Sequence, residues 1–368
     1  MGARNINVLQ VISGWQAVEL ILTCVLVGIW QIIEISVKRL WKGHRRKVRD
    51  SSPVELTVDS SVGTHCYIKV MGVKYHYVET GPRSGETVLI LKDAPDSNLW
   101  GPNWANMVRR LAETHHHVVT LDLRGTGGSE GGSRSELSPP RAVEELSALM
   151  KALGVSDMKQ AVVIGFGIGG MLAWYLVHSR GSLISKFAVI EAPHPNLHWQ
   201  YPPAAFCKRA LQFIQIPINN KIYELYLLQW PHFPERWLAE GELNDREGRW
   251  ASSRACDWSG ALNYVRGAAW WQVKQGLRTS PPALLVGKKD CAAQLVASAQ
   301  HCSTSTLRLV AKPEPSSKEL TDVLLDFLVA KEKLVEEVPR GLMGRMLGAV
   351  ADRGRELTAR LVLPPTQA

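Results

Sequence analysis

Ala161-Val162-Val163-Ile164-Gly165-Phe166-Gly167-Ile168-Gly169-Gly170-Met171-Leu172-Ala173-Trp174 is the stretch on which the fold turns. A short run that is wholly apolar and rich in β-branched residues predicts a strand covered on both faces. Met171 to His178 predicts a helix. Between them the glycines permit a turn with no room for side chains. Such a strand–glycine–helix junction serves two chemistries. As Gly-x-Gly-x-x-Gly over residues 165–170, with Glu191 at the end of the next strand, it matches a dinucleotide site. Glycines there let a pyrophosphate approach, and an acid binds the ribose. As Gly-x-nucleophile-x-Gly it matches a nucleophile elbow, with Gly167 in the nucleophile's place. Spacing alone does not separate the two.

Working outward, at least three strands precede the junction, whereas a dinucleotide fingerprint normally opens its domain. Lys74 to Glu79, Thr87 to Leu91 and Val118 to Leu123 read as strands. Trp104 to Glu113 and Arg141 to Leu153 read as helices. Beyond the junction come strands at Lys186 to Glu191, Ala283 to Val286 and Thr306 to Val310, and a closing helix at Leu320 to Leu328. This alternation predicts an α/β fold: a mostly parallel central sheet with helices on both faces. Residues 194–280 break the rhythm. They hold Trp199, Trp230, Trp237, Trp250, Trp258, Trp270 and Trp271, several helical stretches and no clear strand. An insertion of that kind reads as a helical lid over the carboxyl ends of the strands, where such sheets bind ligands. The expected division is an anchor and basic cluster at 1–50, the α/β core at 51–193 and 281–330, the lid at 194–280, and an amphipathic or flexible tail at 331–368. Within that tail Leu342 to Leu361 could form a membrane-surface helix. Gly127-Gly128-Ser129-Glu130-Gly131 also fits Gly-x-Ser-x-Gly, but it lies in a glycine-rich loop and reads as loop.

The chain of 368 residues carries a formal charge of +9. Most of it sits in Lys38, Arg39, Lys42, Arg45, Arg46, Lys47 and Arg49, so the globular part is near neutral and no nucleic-acid groove is expected. Six cysteines are scattered without zinc or disulfide spacing. His115-His116-His117 has no matching ligand set, and no metal is expected. Ala17 to Val37 is apolar apart from Glu19, Thr23, Gln31, Glu34 and Ser36. A single spanning helix is the leading reading, with an interfacial amphipathic helix as the alternative; Trp15, Trp30 and Trp41 serve as interfacial anchors. Lys and Arg concentrate after the segment, which places the following domain in the cytosol. The expected partner is the lipid bilayer.

Several segments in order resemble membrane-anchored epoxide hydrolases of the α/β-hydrolase superfamily. Ser61 to Tyr67 and Tyr75 to Glu79 resemble the beginning of their domain. Leu121-Asp122-Leu123-Arg124-Gly125-Thr126-Gly127-Gly128-Ser129 is similar to their Asp-Leu-Arg-Gly loop. Gly165 with Gly169-Gly170-Met171-Leu172-Ala173-Trp174 frames their elbow, and Pro193-His194-Pro195-Asn196 resembles the start of their lid. The resemblance implies an elbow aspartate that attacks an epoxide carbon and a histidine, held by an acid, that hydrolyses the ester. It implies an oxyanion turn at His-Gly-x-Pro and two lid tyrosines. In this chain the elbow reads Phe166-Gly167-Ile168, with no nucleophile. The oxyanion turn reads Lys92-Asp93-Ala94-Pro95, which sets a carboxylate where negative charge would develop; a Lys92–Asp93 ion pair is one option. The stretch from Leu211 to Pro217 lacks a tyrosine, and the second place is Val265, beside Tyr264. Asp290 matches the acid. All eleven histidines lie at or before His301, so Ala311 to Lys318, where the base belongs, has none.

These losses predict a pseudoenzyme: an epoxide-hydrolase-like membrane protein, without cofactor, retained as a binding or scaffold domain. Phe166, His194 and Tyr264 are expected to line a pocket for an apolar small molecule. The resemblance implies the endoplasmic reticulum membrane. Two alternatives stand: an active epoxide or ester hydrolase using Asp93, His194 or Asp290, and a dinucleotide-binding protein using residues 165–170.

Overall fold

The computed structural model describes residues 8–42, 63–93, 102–200 and 255–329. Residues 201–254 of the expected lid, the basic residues Arg45 to Arg49, Ala94-Pro95 and the tail at 331–368 lie outside them.

The chain begins with β1 (Leu9–Val11) and α1 (Gly14–Lys42). It continues through β2 (Thr64–Val70), β3 (Val73–Thr80), β4 (Thr87–Leu91), α2 (Pro102–Ala112), β5 (His117–Leu121), α3 (Pro139–Ala152), β6 (Ala161–Phe166), α4 (Gly167–Arg180) and β7 (Ile184–Ile190). After α5 (Pro195–Gln200) come α6 (Ala255–Ala268), β8 (Trp271–Val273), β9 (Ala283–Gly287), α7 (Ala292–Ala299), β10 (Ser305–Leu309) and α8 (Lys318–Val329). Eight strands form one sheet in the order β10-β9-β7-β6-β4-β5-β3-β2. The run from β10 to β5 is parallel; β3 and β2 are antiparallel additions at one edge.

Covering both faces is why the central strands are continuous apolar runs. Every residue of β4, β5, β6 and β9 is buried. Helix α4 is buried from Gly169 to Val177, so it is apolar around most of its circumference. Trp174 and Tyr175 are among its largest fully enclosed side chains. Arg124 ties α3, which packs beside α4 in the same core, to the sheet edge: it bonds Glu145 of α3 at 2.8 Å and Glu136 at 2.9 Å, and Tyr75 donates to the same Glu145 at 2.6 Å.

Two features correct the sequence expectations. Among the described residues no helix is long and apolar enough to cross a membrane. Helix α1 has 29 residues, but Glu19 and Glu34 confine its uncharged stretch to Leu20 through Ile33. At 1.5 Å per residue that covers about 21 Å, short of the roughly 30 Å hydrocarbon core. The region read as free of strands contains β8, which pairs antiparallel with β1: Leu9 faces Val273 and Val11 faces Trp271. The pairing escapes a local reading because both strands have three residues and lie far apart in the chain, at residues 9–11 and 271–273.

Candidate functional site

The junction between β6 and α4 forms a tight elbow, and its glycines are required by contact. A Cβ at Gly165 would meet the Gly169 carbonyl oxygen at 2.6 Å. One at Gly169 would meet the Leu91 carbonyl oxygen at 2.2 Å, and one at Gly170 the Ala192 side chain at 2.6 Å. The turn is therefore pressed between the end of β4 and the end of β7. Gly167 has φ +48, the left-handed conformation that favours glycine. These contacts account for the glycines as packing against protein. Glu191 lies 3.6 Å from Lys288 across neighbouring strand ends.

Above the elbow stands Asp93, two residues past β4. Its Oδ1 accepts a hydrogen bond from the Ile168 backbone N–H at 2.9 Å. A Cβ built on Gly167 would fall 2.2 Å from the Asp93 Cγ and 2.3 Å from both of its oxygens. The carboxylate thus fills the space that a side chain at position 167 would enter. It also occupies the N–H that follows the nucleophile position, the donor that such elbows use to stabilise an oxyanion. It is an anion at the first turn of α4, where a helix favours negative charge. A second anion, phosphate or oxyanion, would have to displace it.

Lys92 does not pair with Asp93. Adjacent residues of an extended chain point to opposite faces, and Lys92 turns inward, with Nζ 2.7 Å from Asp122 Oδ1. Asp122, at the end of β5, also accepts from His76 Nδ1 at 2.7 Å and from the Gly128 N–H at 2.9 Å. Burial opposes ionisation of Asp122, but Lys92, His76 and Gly128 outweigh it and hold the carboxyl below its ordinary value. In place of the Lys92–Asp93 pair that the sequence left open, a buried Lys92–Asp122–His76 network anchors the end of β4. Ser129 belongs to its frame: the hydroxyl donates to the Asp122 carbonyl at 2.7 Å and accepts from the His76 N–H at 2.9 Å.

The other candidates are dispersed. Phe166 is buried and meets Trp104 edge to face at 5.0 Å between ring centres. Ile168 packs on the core. Tyr264 and Val265 are buried in α6. Burial raises the Tyr264 hydroxyl pKa, and Glu145 adds to the rise. Tyr264 is therefore a core group beside the Arg124–Glu145 network, not the lining of a pocket at the elbow. Asp290 is exposed, in a short helical turn after β9.

His194 is fully buried, and its Nε2 is 3.0 Å from His178 Nε2. Its ring stacks on His301 with centres 3.7 Å apart and 5° between planes, and sits edge-on to Trp174 at 5.0 Å. His178 lies eleven residues along α4 from Gly167, about 16 Å at 1.5 Å per residue. His194 is thus removed from the elbow and is no substitute base. This cluster was not legible in the sequence, where its members lie far apart. Burial lowers the pKa of all three histidines, His178 to about 4, with His301 adding to the effect on His178 and His194. His178 and His194 are neutral in the folded protein and protonate near 6.5 when it unfolds. Depressed folded values mean that the unfolded chain binds more protons as pH falls below about 6.5. Stability is then expected to drop between pH 6.5 and 5, by up to about 1.4 kcal/mol per pH unit for each of these two histidines. Urea denaturation at pH 7, 6 and 5 measures this, and His178→Gln should flatten the slope. A wild-type slope of zero would contradict the neutral cluster.

Comparison with known proteins agrees with this architecture. Residues 92–208 match the α/β hydrolase fold family. Over 180 residues the chain is 33% identical to epoxide hydrolase 4 of Mus musculus, covering 47% of this chain and 48% of that protein. Over 183 residues it is 31% identical to epoxide hydrolase 3 of Xenopus tropicalis, covering 47% of each. The chain spans about half the length of the curated relatives it matches. Among solved structures, an epoxide hydrolase of Vigna radiata superposes with a TM-score of 0.55 at 19% identity, over 72% of this chain and 97% of the other. Epoxide hydrolase A of Mycobacterium thermoresistibile gives 0.56 at 16%, over 73% and 99%. At these identities the superpositions establish the fold alone.

Proposed function

We propose that this chain, an α/β-hydrolase fold with epoxide hydrolases among its relatives, is a catalytically silent hydrolase that keeps the fold as a binding domain at a membrane surface. One observation carries the silence: the Asp93 carboxylate fills the space above Gly167 and takes the Ile168 N–H. Catalysis by this fold needs that volume for the nucleophile and that N–H for developing negative charge. The missing histidine between β10 and α8, and the distance of His194 from the elbow, remove the hydrolytic half-reaction as well. Losing members of a catalytic unit costs on the order of 10⁶ in rate in the best-measured case. Apolar small molecules remain the ligand class for any space beneath the lid. The exposed apolar residues of α1 and the basic residues that end it support the membrane association, with the endoplasmic reticulum as the expected site.

A second reading has a specific observation in its favour. A carboxylate does stand at the elbow, supplied by Asp93 from β4 in place of an elbow aspartate. As a nucleophile it would attack an epoxide carbon, open the ring to an alkoxide and form an ester. Without a histidine that ester would persist. Intact-mass measurement after incubation with a styrene-oxide-type epoxide therefore separates the readings. The silent reading expects unmodified protein and no diol. A stoichiometric adduct on the Asp93 peptide, lost in Asp93→Asn, would replace it.

A further inference from the structure

We infer that α1 is an in-plane helix that docks on an anionic lipid surface without crossing it, so that the chain on both sides of α1 stays on one face of the membrane. This deepens the membrane association proposed above and rests on it.

The first ground is connectivity. The segment before α1 is part of the folded domain. Beyond the three β1–β8 pairs, Lys274 N–H donates to the Val8 carbonyl at 2.8 Å and Ile12 N–H to the Trp270 carbonyl at 3.1 Å. Leu9 is buried in the main core. Strand β8 is itself held fast. Asn196 bonds both the carbonyl and the N–H of Val273, at 2.7 and 2.8 Å, and Tyr175 donates to the Trp271 carbonyl at 3.3 Å. The segment after α1 enters the same domain through β2, which pairs with β3 along its whole length. A helix that crossed the bilayer once would set β1 and β2 on opposite sides of about 30 Å of hydrocarbon. Every β1–β8 bond would break.

The second ground is the surface of α1. Cys24 and Gly28 are buried, with Ala17, Leu20 and Ile32 half-buried along the same side. The other side carries Val18, Leu22, Val25, Leu26, Ile29 and Ile33, all exposed, with Leu22 at 58% and Leu26 at 69%. These recur at three- and four-residue intervals and form one apolar stripe. Trp15 and Trp41 stand at its two ends, 78% and 87% exposed. Indole rings prefer the headgroup layer. A continuous exposed apolar stripe of this kind marks a contact surface.

The third ground is charge. The helix ends in Lys38, Arg39 and Lys42, and each basic residue held near an anionic leaflet contributes about 1 kcal/mol. An apolar stripe with tryptophans at its ends, on a helix whose sequence closes in basic residues, fits acyl chains and acidic headgroups together. A protein partner would need to be apolar and acidic along the same line.

Two measurements on the full chain test this. In vesicle flotation, wild-type protein should bind phosphatidylserine-containing vesicles, weakly bind pure phosphatidylcholine, and lose affinity with added salt. Leu22→Asp/Leu26→Asp should bind at least about tenfold more weakly and remain folded, because both side chains are exposed. For topology, glycosylation acceptor sequons are placed before Val8 and after Ala368 during synthesis with microsomes. Neither should be glycosylated, while the protein sediments with the membranes. Glycosylation of the N-terminal sequon would overturn the in-plane helix and leave membrane association standing. Failure to float would overturn both. A soluble dimer that Leu22→Asp/Leu26→Asp converts to monomer would assign the stripe to a second copy of the chain instead.

Discussion

Asp122→Ala is expected to destabilise the protein by about 3–5 kcal/mol, the cost of breaking a buried ion pair from one side. The substitution removes the carboxylate that sits 2.7 Å from Lys92 Nζ, with 2% and 0% of the two side chains exposed. It also removes the acceptor of His76 and of the Gly128 N–H. The ammonium would remain in the core without its carboxylate. Because the network anchors the end of β4, the change should also loosen Asp93 above the elbow. Chemical denaturation measures the loss. Lys92→Met in the same chain should recover part of it, since replacing both members of a buried pair by apolar groups is far cheaper than removing one. A single-mutant loss below 1 kcal/mol, or no recovery in the double mutant, would show that Lys92 is not held as described.

The second large effect concerns the elbow. Gly167→Asp restores a carboxylate at the nucleophile position, and by itself it is expected to cost more than about 3 kcal/mol. A left-handed backbone costs an L-residue about 1–2 kcal/mol. The new Cβ would collide with Asp93 at 2.2 Å, and two carboxylates would share one site. In an Asp93→Ala background the collision and the repulsion disappear while the backbone cost remains. The double-mutant cycle should therefore show a coupling of about 1–3 kcal/mol favouring the pair. Additive free energies would mean that Asp93 does not occupy the space above Gly167. Restoring the nucleophile alone is thus an incomplete repair, because the carboxylate opposite must leave first.

Much of this arrangement was legible from local pattern. The apolar run at Ala161 to Ile164 and the closely spaced glycines specify a buried strand entering a helix through a turn without side chains. Residues 165–170 satisfied two motifs at once, and the contacts of Gly169 with Leu91 and of Gly170 with Ala192 give the glycines a packing reason that the elbow reading requires. The loss of the nucleophile and of the C-terminal histidine needed only the residue letters. The role of Asp93 did not follow from them, because it depends on a contact between residues 75 positions apart. The partner of Lys92 was likewise hidden: the neighbour in sequence is Asp93, while the neighbour in space is Asp122. His194 was expected to line a pocket and is instead the middle of a buried three-histidine cluster, stacked on His301 and edge-on to Trp174.

The sequence by itself determined that strands and helices alternate around a glycine elbow, that the elbow has no nucleophile, and that an apolar segment with a basic end precedes the domain. Those properties rest on periodicity and residue identity, which act within a few residues. Tertiary structure alone decided what fills the empty elbow and which way the apolar segment faces. Asp93 reaches Ile168 because β4 and β6 are neighbours in the sheet. Helix α1 is held against the domain because β1, ahead of it, pairs with the distant β8. Both outcomes are set by hydrogen bonds between distant strands, and no local preference encodes them.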